Sequence, residues 1–254
     1  MTTQTVKFSK IRPILDWLDI LAISAWGILL LQYWLTGKLG LLIHPRYFGL
    51  TTVTGFVLLL IAAFKAWGLL QKHSKPSKMQ HLTLFPPGWS SGVLLVTALL
   101  GLLVTPQPLA SQAAVQLGLA DSVASTRIQP QAFRSSVRSE EKSLVDWART
   151  LAVYPEPDAY VGQKAKVQGF VVHIAKLPDQ YLLITRFVIA HCALDAYPVG
   201  LPVQVPQSRK AYPPDTWLEI EGQMTTAVLE GKRQLAIQGK SIKPIPAPKN
   251  PYVY

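Results

Sequence analysis

The chain has 254 residues and a single cysteine, Cys192. No internal disulfide can staple it, so any domain it forms must fold by burial alone. Positive charge is missing over a long stretch, with no Lys or Arg from Phe85 to Thr126. No Gly-rich phosphate loop or nucleotide motif occurs, and no basic run interleaves with aromatics. Nucleotide chemistry and nucleic-acid binding are therefore not expected. The first apolar run is too long for a cleavable signal peptide, is entered by Asp16 and Asp19, and is followed by no A-x-A pattern. No complete catalytic set can be assembled, and the protein is not expected to be an enzyme.

Against these absences stand three apolar stretches near the N-terminus. Ile14–Leu35 and Tyr47–Leu70 each have the length of a bilayer-spanning helix. Trp89–Val104 is shorter, with Pro86, Pro87 and Gly88 at its entry and Pro106 and Pro108 at its exit. It reads either as a third span, with a start near Leu82 and a kink, or as a re-entrant element. Residues 1–88 carry nine Lys/Arg against Asp16 and Asp19, leaving a net +4 of the total +11 for the rest. Basic residues cluster at Lys7, Lys10 and Arg12 and again at Lys72, Lys75 and Lys78. The positive-inside bias then places the N-terminus in the cytoplasm and, after three crossings, the C-terminal part on the opposite side. Lys65 is expected to snorkel towards the inner headgroups, with Trp17, Trp26, Tyr33 and Trp34 as interfacial anchors. Small residues recur on one face of the second stretch (Thr51, Gly55, Ala62, Ala66) and in the third (Ser91, Ala98, Gly101, Thr105). They permit close helix approach, within this chain or against a partner membrane protein.

The organisation expected is a three-helix transmembrane anchor over 1–109, a linker over 110–138, and an extracytoplasmic domain over 139–254. Ser139–Ala152 reads as a short amphipathic helix with Ser139 as N-cap and a stripe of Leu144, Trp147, Ala148 and Leu151. The period then changes to two. Strands are expected at Lys164–His173, Tyr181–Cys192, Val203–Val205, Thr216–Gln223, Arg233–Gln238 and Ser241–Pro244, with Glu230-Gly231 among the turns. Five or six strands fit an all-β small barrel of the oligonucleotide/oligosaccharide-binding type, with Gly169 and Gly222 at bulges or bends.

The densest group of reactive side chains runs from Thr185 to Gly200. His191, Cys192 and Asp195 bring imidazole, thiolate and carboxylate within five residues. That set could hold a thiophilic metal such as zinc, with His173 as an extra ligand. Neighbouring strand residues point to opposite faces, however, so His191 and Cys192 converge only where the strand breaks. The same pattern also reads as a small buried cysteine and a polar loop capped by Asp195. A Cys–His nucleophile pair lacks an orienting partner. Arg186, in an apolar strand, reads as a structural ion-pair partner, with Asp195 as a candidate counter-charge. Tyr197 closes the group. Glu219 and Glu221 alternate with Leu218 and Ile220 as a solvated sheet face.

The runs Gly162–Val171, Thr185–Leu201, Trp217–Gly222 and Pro248–Tyr254, with Thr36-Gly37, His44–Tyr47 and Leu103–Pro106, resemble a YcgQ-like family of permease subunits. The resemblance implies a few transmembrane helices followed by a small β domain, acting beside a larger permease subunit similar to arsenical-type permeases. It also implies a second cysteine at the position of His191. The His-Cys pair here keeps a metal option and removes a vicinal disulfide. The partners expected are thus the lipid bilayer and a larger permease subunit. The function expected is that of a non-catalytic accessory subunit whose β domain contacts a solute or metal ion. An independent membrane-tethered binding module is the alternative.

Overall fold

The structure is a computed structural model and describes residues 3–71, 88–119 and 138–254, with side chains from residue 14 onward. The chain divides into two compact units, Met1–Gln107 and Pro108–Tyr254.

The first unit is helical: α1 (Thr3–Leu35), α2 (Phe48–Leu70) and α3 (Trp89–Leu103). Two segments, Ile14–Leu35 and Pro45–Leu70, are long and apolar enough to cross a membrane, with mean hydropathies of 1.9 and 2.0. α3 has 15 residues and is preceded by Gly88, which adopts a left-handed conformation at the cap. The expected start near Leu82 and the Lys72–Lys78 cluster lie outside the described residues.

α1 packs against both other helices. Several of the small residues are used inside this chain. Gly55 and Ala62 of α2 and Ala98 of α3 are buried. A Cβ at Gly55 would meet Leu31 of α1 at 3.0 Å, and one at Gly101 would meet Leu29 at 2.9 Å. Two of the expected interfacial anchors also tie helices together. Trp26 donates from Nε1 to the Leu94 carbonyl at 2.9 Å, and the buried Tyr33 hydroxyl donates to the Gly101 carbonyl. In both cases an α1 side chain reaches a backbone carbonyl of α3. Lys65 Nζ pairs with Asp19 of α1 at 3.2 Å. Ser91 of α3 donates to the other oxygen of Asp19, so one carboxylate joins all three helices.

The second unit opens with the short turn of helix α4 (Ser111–Ala114), which runs into the turn Val115–Leu119. Ala114 and Leu119 are buried, so the first part of the expected tether is folded. The residues 120–137 lie outside the described ones. The expected helix from Ser139 begins later. Ser139–Glu141 is a single 3-10 turn, and α5 (Leu144–Val153) starts at Ser143. Ser143 Oγ accepts from the Asp146 amide, while the Ser143 amide donates to Asp146, a reciprocal cap that outcompetes Ser139. The stripe Leu144, Trp147, Ala148 and Leu151 is buried as expected.

Six strands form one sheet: β1 (Lys164–Val172), β2 (Tyr181–Val188), β3 (Tyr197–Gln204), β4 (Trp217–Leu229), β5 (Lys232–Pro244) and β6 (Tyr252–Val253). Their order is β1-β4-β5-β3-β2-β6, and β1 also pairs with β2. β3 and β5 run parallel, as do β2 and β6; the remaining pairs are antiparallel. The core gathers Trp147, Val167, Leu182, Ile184, Leu218 and Ile237.

Several strand boundaries differ from the expected ones. β2 stops at Val188 rather than Cys192, because the backbone turns there to meet Asp195. β3 begins at Tyr197, through Pro198 and Pro202. Proline argues against a central strand, yet β5 joins β3 only at Val203 and Gln204, so residues 197–202 have no ladder on that side to interrupt. The two expected strands 233–238 and 241–244 are one, with an irregularity opposite Glu221 and Gly222. Glu230 and Gly231 take positive φ of 52° and 74°, the two-residue hairpin geometry that lets β4 and β5 twist together. Gly169 and Gly222 are required by closeness. A Cβ at Gly169 would lie 2.5 Å from the Thr185 carbonyl oxygen, and one at Gly222 2.1 Å from that of Gln238.

Candidate functional site

β2 ends in a loop whose backbone folds around one carboxylate. Asp195 Oδ1 accepts from the amides of Ala190 and Cys192 at 3.2 Å, and Oδ2 accepts from the His191 amide at 2.9 Å. His191 Nδ1 lies 2.9 Å from the same Oδ2. Burial works against the charge, but the bonds from His191, Cys192 and Ala190 prevail and hold the Asp195 carboxyl below its usual value. Nearly all of its acceptor sites are spent on its own loop.

The structure thus brings His191 and Asp195 together as a loop cap. It does not assemble the three-ligand set with Cys192: among the described residues no three of His, Cys, Asp and Glu are placed to hold a metal ion. His173, the extra ligand considered, has Nε2 2.9 Å from the Tyr212 carbonyl. Tyr197 packs with Val145, Ala148, Val188, Val199 and Val253. Burial raises its hydroxyl above the ordinary value, opposed by Arg149 and reinforced by Asp195. Leu194, at the tip of the loop, is 98% exposed.

A second feature lies where β1 leaves β2. Their pairing ends at Phe170 and Thr185, and β6 takes up β2 from Phe187 onward. Arg186 falls in that gap. It does not pair with Asp195. Its guanidinium lies over the Trp217 ring, 5.1 Å from the centroid, and Nη2 reaches the Asn250 carbonyl at 3.4 Å. Its Nε is buried without a partner, and burial pushes the guanidinium below its ordinary value. Arg186 opens into a cleft of about 290 Å³, lined by residues 140–145 leading into α5, by Lys166 to Gln168 of β1 and by Val253.

The charges around the cleft are matched locally. Lys166 bridges Glu219 at 3.4 Å and Glu221 at 2.8 Å, and Gln168 donates to Glu219 at 2.8 Å. That Gln168 bond, with Lys166 and Lys243 against a smaller opposing effect of burial, holds the Glu219 carboxyl low. Glu219 and Glu221 are therefore the ion-paired outer face of the sheet, as their alternation implied. Sequence reasoning singled out Arg186 but missed its setting. Trp217 and the tail residues Asn250 and Val253 are 31 or more positions away, and only strand register brings them near.

A family model for the DUF1980 N-terminal domain matches residues 18–120, and one for the DUF1980 C-terminal domain matches residues 125–254. No curated protein and no solved structure matches the chain. With its helical unit and its β unit each covered by the corresponding domain model, the chain belongs to the DUF1980 family.

Proposed function

We propose that this chain is a non-catalytic, membrane-anchored subunit that works beside a larger permease, its β unit receiving a small solute on the extracytoplasmic side. The observation that carries the reading is the division of surfaces in the helical unit. Gly55, Ala62, Ala98 and Gly101 are taken up by internal packing, yet the outer faces stay apolar: Phe64, Leu70 and Leu103 are each at least 74% exposed. An exposed surface of that kind needs lipid or a membrane partner. In this reading α3 completes a third crossing, and the uneven distribution of Lys and Arg sets the N-terminus inside. The circuit of pairings β1-β4-β5-β3-β2-β1 supports a small closed barrel of the oligonucleotide/oligosaccharide-binding type, a fold whose faces commonly hold ligands. The likeness to YcgQ-like permease subunits supports the partner.

Isolation of the tagged chain in mild detergent tests it. A polytopic membrane protein should co-purify in stoichiometric amount. Recovery of the chain alone would favour an independent tethered module. Zinc in that preparation, lost on Cys192→Ser, would make the module a metal binder.

A further inference from the structure

β1 is paired on one edge only along much of its length. β4 meets that edge from Lys164 to Phe170, whereas β2 meets the other edge at Phe170, Val171 and Val172 alone. Residues of an antiparallel strand turn their amides and carbonyls to alternate edges. The Met224 amide donates to the Gln163 carbonyl, and the Val171 amide donates to the Thr216 carbonyl. The odd-numbered residues of β1 therefore bond towards β4, and the backbone groups of Lys164, Lys166 and Gln168 point to the other edge. β6 takes up β2 from Phe187 onward and does not pair with β1. Among the described residues, no backbone group bonds those of Lys164, Lys166 and Gln168 on that edge. All three residues are exposed, and Lys166 and Gln168 border the cleft beside Arg186.

Open strand edges are ordinarily blunted, by lysine above all, or by proline and bulges. The blunting is weak here. Lys164 is paired with Glu140 at 3.7 Å, and Lys166 with Glu219 at 3.4 Å and Glu221 at 2.8 Å, so both charges are matched. β1 contains no proline, and its register with β4 runs without a break. The spacing of the edge sets what fits it. A donor and an acceptor recur together at every second residue, about 6.8 Å apart. An anion would meet the amides but be repelled by the carbonyls, whereas an extended backbone meets both. From Lys164 to Gln168 the edge is about 17 Å long, the length of an ordinary strand.

We infer that the Lys164–Gln168 edge takes up an extended peptide segment of a partner protein, which adds to β1 as a further strand. Recognition is through the main chain of the segment, because the charged side chains along the edge already have their partners. The inference goes beyond the permease role and holds on either side of a membrane.

Amide hydrogen exchange of the full-length chain in detergent, resolved to single residues, tests it. The probe is a capped seven-residue peptide of alternating threonine and valine with lysine at each end. In the free chain the Lys166 and Gln168 amides should exchange quickly, and the Val167 amide, bonded towards β4, slowly. Millimolar peptide should slow exchange at Lys166 and Gln168 at least tenfold. The same peptide N-methylated at every residue keeps its side chains but loses its donors, and should slow neither. Gln168→Pro removes an amide that no strand uses, and proline is tolerated on such an edge. That variant should melt close to the wild type, and the peptide's protection of Lys166 should fall at least tenfold. Should it fail to fold, the N-methylated peptide decides. Slow exchange of Lys166 and Gln168 in the free chain at every concentration would overturn the assignment, by showing an edge closed within the chain. Slow exchange that is lost on dilution would overturn it in favour of a second copy of the chain. No protection by the peptide, or equal protection by its N-methylated form, would overturn it as well.

Discussion

Lys65 Nζ and Asp19 Oδ2 lie 3.2 Å apart and tie α2 to α1. Each residue is five positions from the end of its apolar segment, Ile14 for one and Leu70 for the other, which is about one and a half helical turns in. Ser91 adds α3 to the same carboxylate. Both charged side chains remain about 40% exposed, so solvent or headgroups screen the pair.

Asp19→Asn should therefore destabilise the bundle more than Lys65→Met, because Asp19 serves two partners and Lys65 one. A double-mutant cycle in detergent should give a Lys65–Asp19 coupling of about 0.5–1 kcal/mol, as for a partly exposed pair. Exchanging the two residues should restore part of the loss. Additive effects in the cycle would mean the ion pair does not form.

The carboxylate of Asp195 makes a pH prediction. Its folded value is depressed, so it contributes stability that is fully present above the unfolded value of about 4 and is lost as pH falls through the folded value. Hydrogen exchange at the amides of Ala190, His191 and Cys192 should be protected at neutral pH and lose that protection on acidification below about 4. Asp195→Asn should lose protection already at neutral pH. A variant as protected as the wild type would contradict the cap.

Gly222→Ala should be severely destabilising, by about 2 kcal/mol or more, since overpacking against backbone has no side chain to yield. The added Cβ would meet the Gln238 carbonyl oxygen at 2.1 Å. Denaturant unfolding measures it. A change under about 0.5 kcal/mol would show that β4 and β5 are not so close there.

How much of this was legible beforehand differs by element. Apolar length marked α1 and α2, and the stripe in α5 followed from helical spacing, because both signals are local. The cap of α5 lies four residues beyond the expected Ser139 because Ser139 and Ser143 are both good caps, and only the reciprocal bond to Asp146 separates them. The sequence marks only the end of β3 because its two prolines argue against a strand, and the missing β5 ladder that tolerates them is a tertiary fact. β6 has only two residues, too few for any periodic signal. At the site, the carboxyl cap by Asp195 was one of two readings of the same spacing. Lys65 and Arg186 were each given plausible local roles, but their actual partners, Asp19 and Trp217, lie 46 and 31 positions away.

The C-terminal tail is part of the fold. Tyr252 is buried, packs edge-on against Phe187 with ring centroids 6.4 Å apart, and its hydroxyl accepts from the Leu109 amide at 2.9 Å. Tyr252→Phe should cost about 1 kcal/mol for the hydrogen bond, and Tyr252→Ala about 3–5 kcal/mol for the lost ring. Thermal unfolding of the two variants separates the terms. Equal losses would mean the ring is not packed.

The placement of the β unit across the membrane from the N-terminus is the premise of the proposed role, and one exposed thiol tests it. Leu194 stands almost fully exposed at its loop tip, and Cys192 is the chain's one native thiol. In a Cys192→Ser, Leu194→Cys chain, a membrane-impermeant maleimide should label intact cells as completely as opened ones. Labelling that appears only after the cells are opened would put the β unit in the cytoplasm and contradict the account.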